Sequence, residues 1–476
     1  MRQIGSLIIP IFFLLPSAAQ TMGHELPLSD SALSFSGVID FSTGEIMTGM
    51  YMAMKGNGSY DINYPTAIDH AWFGEPLARL NLLFRPDEKI SVSIGFEAGI
   101  LLTTFPANLK TAVSSNGMTS VLPQYMDWRL HQAMGSFSLL DNEGTSATLS
   151  AGLMPYKYNP EVRNLGEFLF RSGTYPFFLV NSFNFPLARL TGLRLKYTRK
   201  SGNIKFTFDQ FVRLERDFPP LNDLSLTSIV GINLMKVVDI GAGVDFARLI
   251  AWDSRITTPR GACYVTSPAG DTGYYTFKGT KLMAHATIDP LAWLRDDEES
   301  FFSRLAGENG GKLYGEIAII GLANYPASHE IIGIGDSINL WGYTKITERM
   351  PWMAGINIPL WKLLDVCAFE IERYPAPYPN DYSQAFYNRA LPIPAWLRNY
   401  RNDTTGYGSG VYSIKRWYWS LYMKKQIVKH VCLLGQVSRD HMRWEVNLGN
   451  EINYATEEIM PKPGQWAWRL GMLFEF

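Results

Sequence analysis

The sequence predicts an all-β protein, a transmembrane antiparallel up-and-down β-barrel of about sixteen strands. Three observations support this fold class. Apolar and polar residues alternate with a period of two along many short runs, an export-type segment precedes them, and residues 466–476 form the most regular run of all. Successive side chains of a strand lie on opposite faces, so each run has one apolar and one polar face. A barrel with lipid outside and water inside requires this alternation.

The N-terminal residues have the order of a secretory signal peptide. Arg2 precedes an apolar run over 4–15, and the small residues of 16–20 follow it. The run holds about a dozen residues, fewer than the ~20 that a spanning helix needs. We expect cleavage after Ala19. The expected organisation is a signal peptide over 1–19, a short N-terminal segment over 20–33 and a barrel over 34–476.

Composition excludes several other classes of protein. The net charge is -1, with 43 basic and 44 acidic residues, so nothing favours a nucleic-acid partner. The mean hydropathy is -0.05 and no later apolar run is long enough for a spanning helix, so a helical membrane protein is not expected. Cys263, Cys367 and Cys432 lie far apart and are odd in number, which indicates no disulfide framework and no zinc site, although one bridge stays open. We expect no metal and no cofactor.

The clearest hairpin runs from residue 193 to residue 209. Leu193, Leu195 and Tyr197 alternate with polar residues, and the turn chemistry of 200–203 leads into a second alternating run over 204–209. Regular repetition of this unit predicts one continuous meander of hairpins. Further runs of the same kind cover 80–85 with 90–98, 133–139 with 147–153, 230–234 with 240–246, 282–289, 313–319 and 416–424.

The final run carries the most specific signal. Its even positions, from Trp466 to Phe476, are apolar without exception. The run resembles the terminal strand of bacterial outer-membrane barrels, in which an aromatic last residue is read by the machinery that inserts them. The resemblance implies a bacterial outer-membrane location, with outer-membrane lipid and the barrel-insertion machinery as partners and Phe474 and Phe476 as the insertion signal. It is architectural and transfers no ligand-binding residue.

Counting strands backwards from Phe476 gives a consistent topology. If the C-terminal end is periplasmic, as the resemblance implies, the short connections fall on the periplasmic side and the long ones outside, as such barrels require. The count reaches sixteen when 34–54 is one long first strand, while fourteen and eighteen stay open. A barrel of this size leaves an aqueous channel unless a loop or plug blocks it. We therefore expect a porin-like channel for small polar solutes, and a homotrimer is left open because many general porins are trimers.

Charged residues on the polar faces are expected to line this channel. Both signs are present, so we expect a local transverse field rather than a ring of one charge. The candidates are Arg79, Glu97, Arg194, Lys196, Lys205, Asp209, Asp245, Glu316, Arg416, Lys424 and Arg469.

The connection over 156–186 is a candidate constriction. By the strand count it joins the fifth and sixth strands, which is the position of the inward-folded constriction loop in general porins. Acidic, basic and aromatic groups there would narrow the pore and set its selectivity. The alternative is an aromatic-rich surface loop that packs on its neighbours. The candidate residues are Glu161, Arg163, Glu167, Arg171 and Tyr175.

Other functions stay open beside the channel. The segment 375–411 holds seven aromatic residues among prolines and asparagines, which suits a saccharide-binding or adhesin-like surface. A structural barrel with a blocked lumen and a transporter of hydrophobic compounds are further alternatives. We expect no enzyme, because no catalytic motif stands out and the neighbouring Asp440 and His441 would point to opposite faces of a strand.

Overall fold

Period-two alternation along the chain produces sixteen antiparallel strands that close into one barrel. Each strand pairs with the next one in chain order, and the last pairs with the first. The predicted up-and-down barrel and its sixteen strands are thereby confirmed. The computed structural model describes residues 33–51, 66–104, 124–170, 188–214, 222–250, 264–266, 272–274, 279–292, 310–319, 322, 330–333, 336–339, 346–360, 363–374, 416–442, 459–460 and 463–476.

The barrel strands are numbered here in chain order. The first eight are β1 Leu33–Thr48, β2 Ala71–Asp87, β3 Ile90–Thr103, β4 Gln124–Asn142, β5 Thr145–Tyr156, β6 Ala188–Ser201, β7 Ile204–Leu214 and β8 Leu224–Leu234. The second eight are β9 Val238–Ile250, β10 Gly279–Ile288, β11 Leu313–Ile319, β12 Trp352–Asn357, β13 Val366–Tyr374, β14 Arg416–Val428, β15 Val431–Arg439 and β16 Trp466–Glu475. The first strand ends earlier than the expected 34–54.

Small elements lie in the connections. Three two-stranded ladders pair Met50–Tyr51 with Thr66–Ala67, Tyr264–Thr266 with Thr272–Tyr274, and Glu330–Gly333 with Asp336–Asn339. A 3-10 helix covers Ile346–Arg349. Within the described ranges, no helix has the length and apolar character needed to cross a membrane.

Apolar side chains face outward and polar side chains face inward. On β11, Ile317 is 43% exposed while the preceding Glu316 is 3% exposed. On β16, the exposed Leu470 and the buried Arg469 show the same contrast. A soluble protein buries the first kind of residue and exposes the second. The outer surface of the barrel is therefore largely apolar.

The two ends of the barrel differ in their connections. Tight turns of two or three residues join β2 to β3, β4 to β5, β6 to β7, β8 to β9 and β14 to β15 at one end, which we call the turn end. The connections at the other end, the loop end, are longer. Every tryptophan of the described residues lies within four positions of the loop end of its strand.

The barrel closes at the turn end. Gly37 on β1 and Phe476 after β16 exchange two backbone hydrogen bonds of 2.8 and 3.0 Å. The Phe476 ring lies against Gly37, where a side chain would overlap it. Both ends of the barrel chain therefore meet on one side, as an even number of strands requires.

Replacing Gly192 should weaken the barrel. This residue of β6 has φ +147°, and a Cβ there would overlap the carbonyl oxygen of Val212 on the neighbouring β7. We expect Gly192→Ala to lower the free energy of unfolding by about 2 kcal/mol, because the backbone conformation and the overlap both penalise a side chain. The measurement is urea unfolding of the protein in detergent micelles.

The matched control is Gly135→Ala on β4, where a Cβ would meet no atom within 4 Å. Its unfolding midpoint should stay near that of the unchanged protein. Equal midpoints for the two variants would show that the conformation of Gly192 places no demand on the barrel.

Candidate functional site

Residues 157–170, which follow β5, fold into the barrel; we call them the inner segment. Val162, Leu165 and Leu169 are fully buried. The segment bonds to residues of β11, β13 and β14, between six and nine strands away around the wall. A chain that leaves β5 and reaches those strands must cross the interior, so the inner segment lies in the lumen.

Three buried glutamates of the wall bind six consecutive backbone N–H groups of the inner segment. Glu370 on β13 accepts hydrogen bonds from residues 163, 164 and 165 at 2.5, 2.9 and 3.0 Å. Glu372 on β13 accepts one from residue 166 at 2.9 Å, and Glu316 on β11 accepts two from residues 167 and 168 at 2.9 and 2.8 Å. Hydrogen bonds to charged groups contribute about 1.5–3 kcal/mol each. This set is the main anchor of the segment.

A turn at Gly166 and Glu167 directs these N–H groups. Both residues have positive φ, 82° and 58°. Successive N–H groups around such residues form a concave site for an anion. Glu167 is strained in this conformation because it carries a side chain. Its own carboxylate offsets the strain by accepting hydrogen bonds from the backbone of Tyr158 at 3.4 Å and Asn159 at 2.7 Å.

Further contacts attach the inner segment to the barrel wall at several positions between the loop end and the turn end. The Tyr158 hydroxyl donates to Glu316 at 2.5 Å and accepts from the backbone of Leu169 at 3.0 Å. The Asn164 amide donates to Asp440. Closer to the turn end, Glu161 forms a 2.8 Å ion pair with Lys312 and accepts a 3.2 Å hydrogen bond from Asn357. An apolar cluster joins the segment to the wall and includes Val162, Leu165, Phe168, Leu169, Tyr314, Met353 and Tyr418.

Burial changes the acid–base behaviour of the inner segment. Burial and the neighbouring Glu316 raise the pKa of Glu167 well above its ordinary range. Burial also lowers the pKa of Lys157 to about 8. Both charged forms are destabilised because few water molecules can solvate them. Protonation of Glu167 therefore favours the buried position of the segment.

Ion pairs occupy the wall formed by β2–β10. Arg79 on β2 lies 2.5 Å from Glu97 on β3, and Arg189 on β6 lies 4.0 Å from the same carboxylate. Arg194 lies 2.7 Å from Asp209. Asp245 on β9 accepts from Arg213 at 2.5 Å and from Thr227 at 2.7 Å, and Lys281 lies 3.6 Å from it.

The structure places most of the candidate pore-lining residues on the inward face. Glu97, Asp209, Asp245, Glu316 and Arg469 are buried there. Arg469 lies 2.7 Å from Asp40 of β1, across the closing pair of strands. Of the remaining six, Arg79 and Arg194 are partly buried, Lys196 and Lys205 are exposed, and Lys424 lies 3.4 Å from Glu475 at the turn end. Arg416 is the first residue of β14 and pairs with Tyr374 in the sheet.

The candidate constriction residues divide into two groups. Glu161, Arg163 and Glu167 lie on the inner segment, and the Arg163 side chain is 3.9 Å from Glu161. Arg171 and Tyr175 lie outside the described residues, as does the segment 375–411. Phe474 packs edge-on against Phe41 at 6.0 Å, and Phe476 is half exposed.

The sequence analysis identified Glu316 as an inward residue but missed the other two anchoring glutamates, Glu370 and Glu372, although a signal was present. Glu370 and Glu372 alternate with Phe369 and Ile371 in the pattern used elsewhere to identify inward residues. What the pattern cannot indicate is the partner, because the inner segment is about 200 residues earlier in the chain.

The expectation that Asp440 and His441 point to opposite faces of a strand is wrong, because β15 ends at Arg439. Both side chains are buried. Asp440 accepts from Ser438 at 2.9 Å, and His441 Nε2 lies 2.5 Å from Glu372. Over the described ranges, no group of three or more His, Cys, Asp and Glu residues is arranged to hold a metal ion.

Cys367 and Cys432 are both buried and free thiols. Cys263 lies outside the described residues. The two described cysteines are therefore not bridged to each other.

Solved structures to which this chain is similar include bacterial porins. No protein-family model matches the chain, and no curated protein is significantly similar to it. A triple mutant of the Rhodopseudomonas blastica porin is 8% identical, with 93% of this chain and 100% of that chain covered and a TM-score of 0.37. Salmonella typhi OmpF, in a complex with daunomycin, is 9% identical, with 93% and 97% covered and a TM-score of 0.41.

Replacing Glu370 should loosen the inner segment. In the Glu370→Gln variant, the side-chain amide has only one acceptor oxygen. Its NH2 group faces backbone N–H donors, from which it cannot accept a hydrogen bond. We expect the amides of residues 163–165 to exchange with deuterium at least about tenfold faster, since at least one charged hydrogen bond is lost. The measurement is hydrogen exchange of the folded protein in micelles, followed by mass spectrometry. The control is Glu143→Gln in the exposed β4–β5 turn, and equal exchange in both variants would contradict the anchoring role.

We expect the inner segment to be bound more tightly to the barrel wall at lower pH. The pKa of Glu167 is raised in the folded state. The stabilising contribution of Glu167 is therefore complete below the ordinary pKa range of glutamate, and it is lost as the pH rises through the raised pKa. We expect exchange of residues 163–168, corrected for intrinsic chemistry, to speed up as the pH rises above the ordinary glutamate range. Glu167→Gln should remove much of this slope. A slope that persists unchanged in the variant would assign it to another group.

Proposed function

We propose that this protein is a porin-like channel of the bacterial outer membrane, with the inner segment as its constriction. The observation that carries the proposal is the inner segment itself, anchored by six backbone N–H groups across the lumen of a sixteen-strand barrel. Barrels of 16–18 strands leave an aqueous channel unless it is plugged. A segment anchored to one wall narrows such a channel, and its polar surroundings suit small polar solutes.

Partial exposure of the opposite wall supports an open path. The side chains of Arg79, Arg189 and Arg194 are between 20% and 25% exposed. They point into the barrel or bond to residues that point into it. Water therefore reaches this side of the interior. The inner segment forms its hydrogen bonds to the wall with β10–β14 and with Asp440, and Phe170 packs against Phe211 of β7. The proposed path therefore runs on the side of the lumen that holds Arg79, Arg189 and Arg194.

The outward apolar face and the tryptophans at the loop end support insertion in a membrane. A closed barrel satisfies its backbone hydrogen bonds without water, so it can sit in lipid. In this proposal the signal peptide over 1–19 directs export, and Phe474 and Phe476 are read by the insertion machinery. The barrel is proposed to have no catalytic activity.

A structural barrel with a blocked lumen is the second candidate. The apolar cluster between the inner segment and Tyr314, Met353 and Tyr418 favours it, because such a cluster excludes water from that part of the interior. The two candidates differ in whether ions can pass along the arginine side of the lumen.

Single-channel recording in a planar bilayer separates the two candidates. The refolded mature protein should give stepwise openings. Simultaneous replacement of Glu316, Glu370 and Glu372 by glutamine should raise the conductance or its fluctuations, because the constriction loses its anchor. Glu143→Gln should leave the openings unchanged. Heat-modifiable gel mobility confirms that each protein is folded, and a folded protein without conductance would reject the channel in favour of the blocked barrel.

A further inference from the structure

Three ion pairs of the wall formed by β2–β9 are asymmetric in their exposure to water. In the pairs that Arg79, Arg194 and Arg213 form, the arginine side chains are 17–25% exposed, while the carboxylate side chains are 0–12% exposed. Each carboxylate lies nearer the wall and each guanidinium lies nearer the lumen. Water in the lumen therefore meets the positive member of each pair.

Two of these carboxylates each lie near a second cation. Glu97 lies near both Arg79 and Arg189, and Asp245 lies near both Arg213 and Lys281. Each of these two carboxylates therefore has two cations within 4.0 Å.

The buried carboxylates of β11 and β13 do not offset these exposed cations, because they are hydrogen-bonded to the inner segment. Glu316, Glu370 and Glu372 are at most 3% exposed, and the six N–H groups of residues 163–168 point at them. The peptide dipoles partly balance these charges before they reach the lumen. A passing ion is thus closer to guanidinium groups than to any of these carboxylates.

Exposed or partly exposed cations lie at several levels along the lumen, between the loop end and the turn end. Arg213 lies one residue from the loop end of β7, and Arg79 and Arg194 lie near the middle of their strands. Lys196 and Lys205 continue towards the turn end, where both are exposed. Several weak sites in series permit an ion to enter and leave, which a single strong site would prevent.

We infer that the channel prefers anions, and that small oxyanions with a carboxylate, phosphate or sulfate group are its preferred solutes. This inference rests on the proposed function as a channel. A guanidinium group binds such oxyanions through two parallel N–H donors, which chloride cannot use together in the same way. Since each arginine already shares some donors with its own carboxylate, binding is transient and the ion moves on.

Reversal potentials in a potassium chloride gradient test the charge preference. The unchanged protein should give a permeability ratio of chloride to potassium above unity. Arg79→Gln with Arg194→Gln should lower the ratio, because Glu97 and Asp209 lose cationic partners. Glu97→Gln with Asp209→Asn should raise it. The matched control is Arg199→Gln, an exposed residue on the outward face of β6, which should leave the ratio unchanged.

Inorganic phosphate tests the oxyanion preference. At constant ionic strength, added phosphate should reduce the chloride current through the unchanged protein, and the reduction should be smaller in the Arg79→Gln, Arg194→Gln protein. Equal reduction in both would reject arginine binding of the oxyanion.

The possible results separate this inference from the proposed function. A folded barrel without conductance rejects the channel. Stepwise conductance with a potassium preference in the unchanged protein keeps the channel and rejects the anion preference. If the double arginine variant does not fold, the ratio in the unchanged protein and in the carboxylate variant still decides the question.

Discussion

The need to pair every backbone N–H and C=O group determines most of this structure. A strand that faces lipid has no water to satisfy these groups, so only a closed ladder is stable there. The pairing of β1 with β16 removes the last open edge, and the hydrogen bonds between Gly37 and Phe476 complete it. Closure also separates an outside from an inside. The polar face of each strand is then enclosed, and residues far apart in the chain become neighbours across the lumen.

The same constraint explains the inner segment. Residues 163–168 have no strand partner for their N–H groups, and the wall supplies three glutamates instead. Burying three carboxylates would be costly if they were unpaired. The N–H groups offset that cost, and the carboxylates in turn satisfy the backbone. Each side therefore stabilises the other, so the loop and the wall form one unit.

This pairing changes the electrostatics of the lumen. The chain carries nearly equal numbers of acidic and basic residues, and composition alone suggests no preference for either ion. The carboxylates, however, are held at the wall by backbone groups, hydroxyls and arginines. The longer arginine side chains extend past them into the interior. In the proposed channel, ion preference depends on which charges water can reach, and not on the net charge of the chain.

The sequence by itself determined the class of fold and the direction of most strand side chains, because alternation with a period of two is a local property of neighbouring residues. It also located the connection after the fifth strand. The tertiary structure decided which residues meet across the lumen. Glu370 accepts hydrogen bonds from the backbone of residues 163–165, and the Asp440 side chain points inward because β15 ends before it. Neither fact is encoded locally, since each depends on how the closed barrel places distant strands around the inner segment.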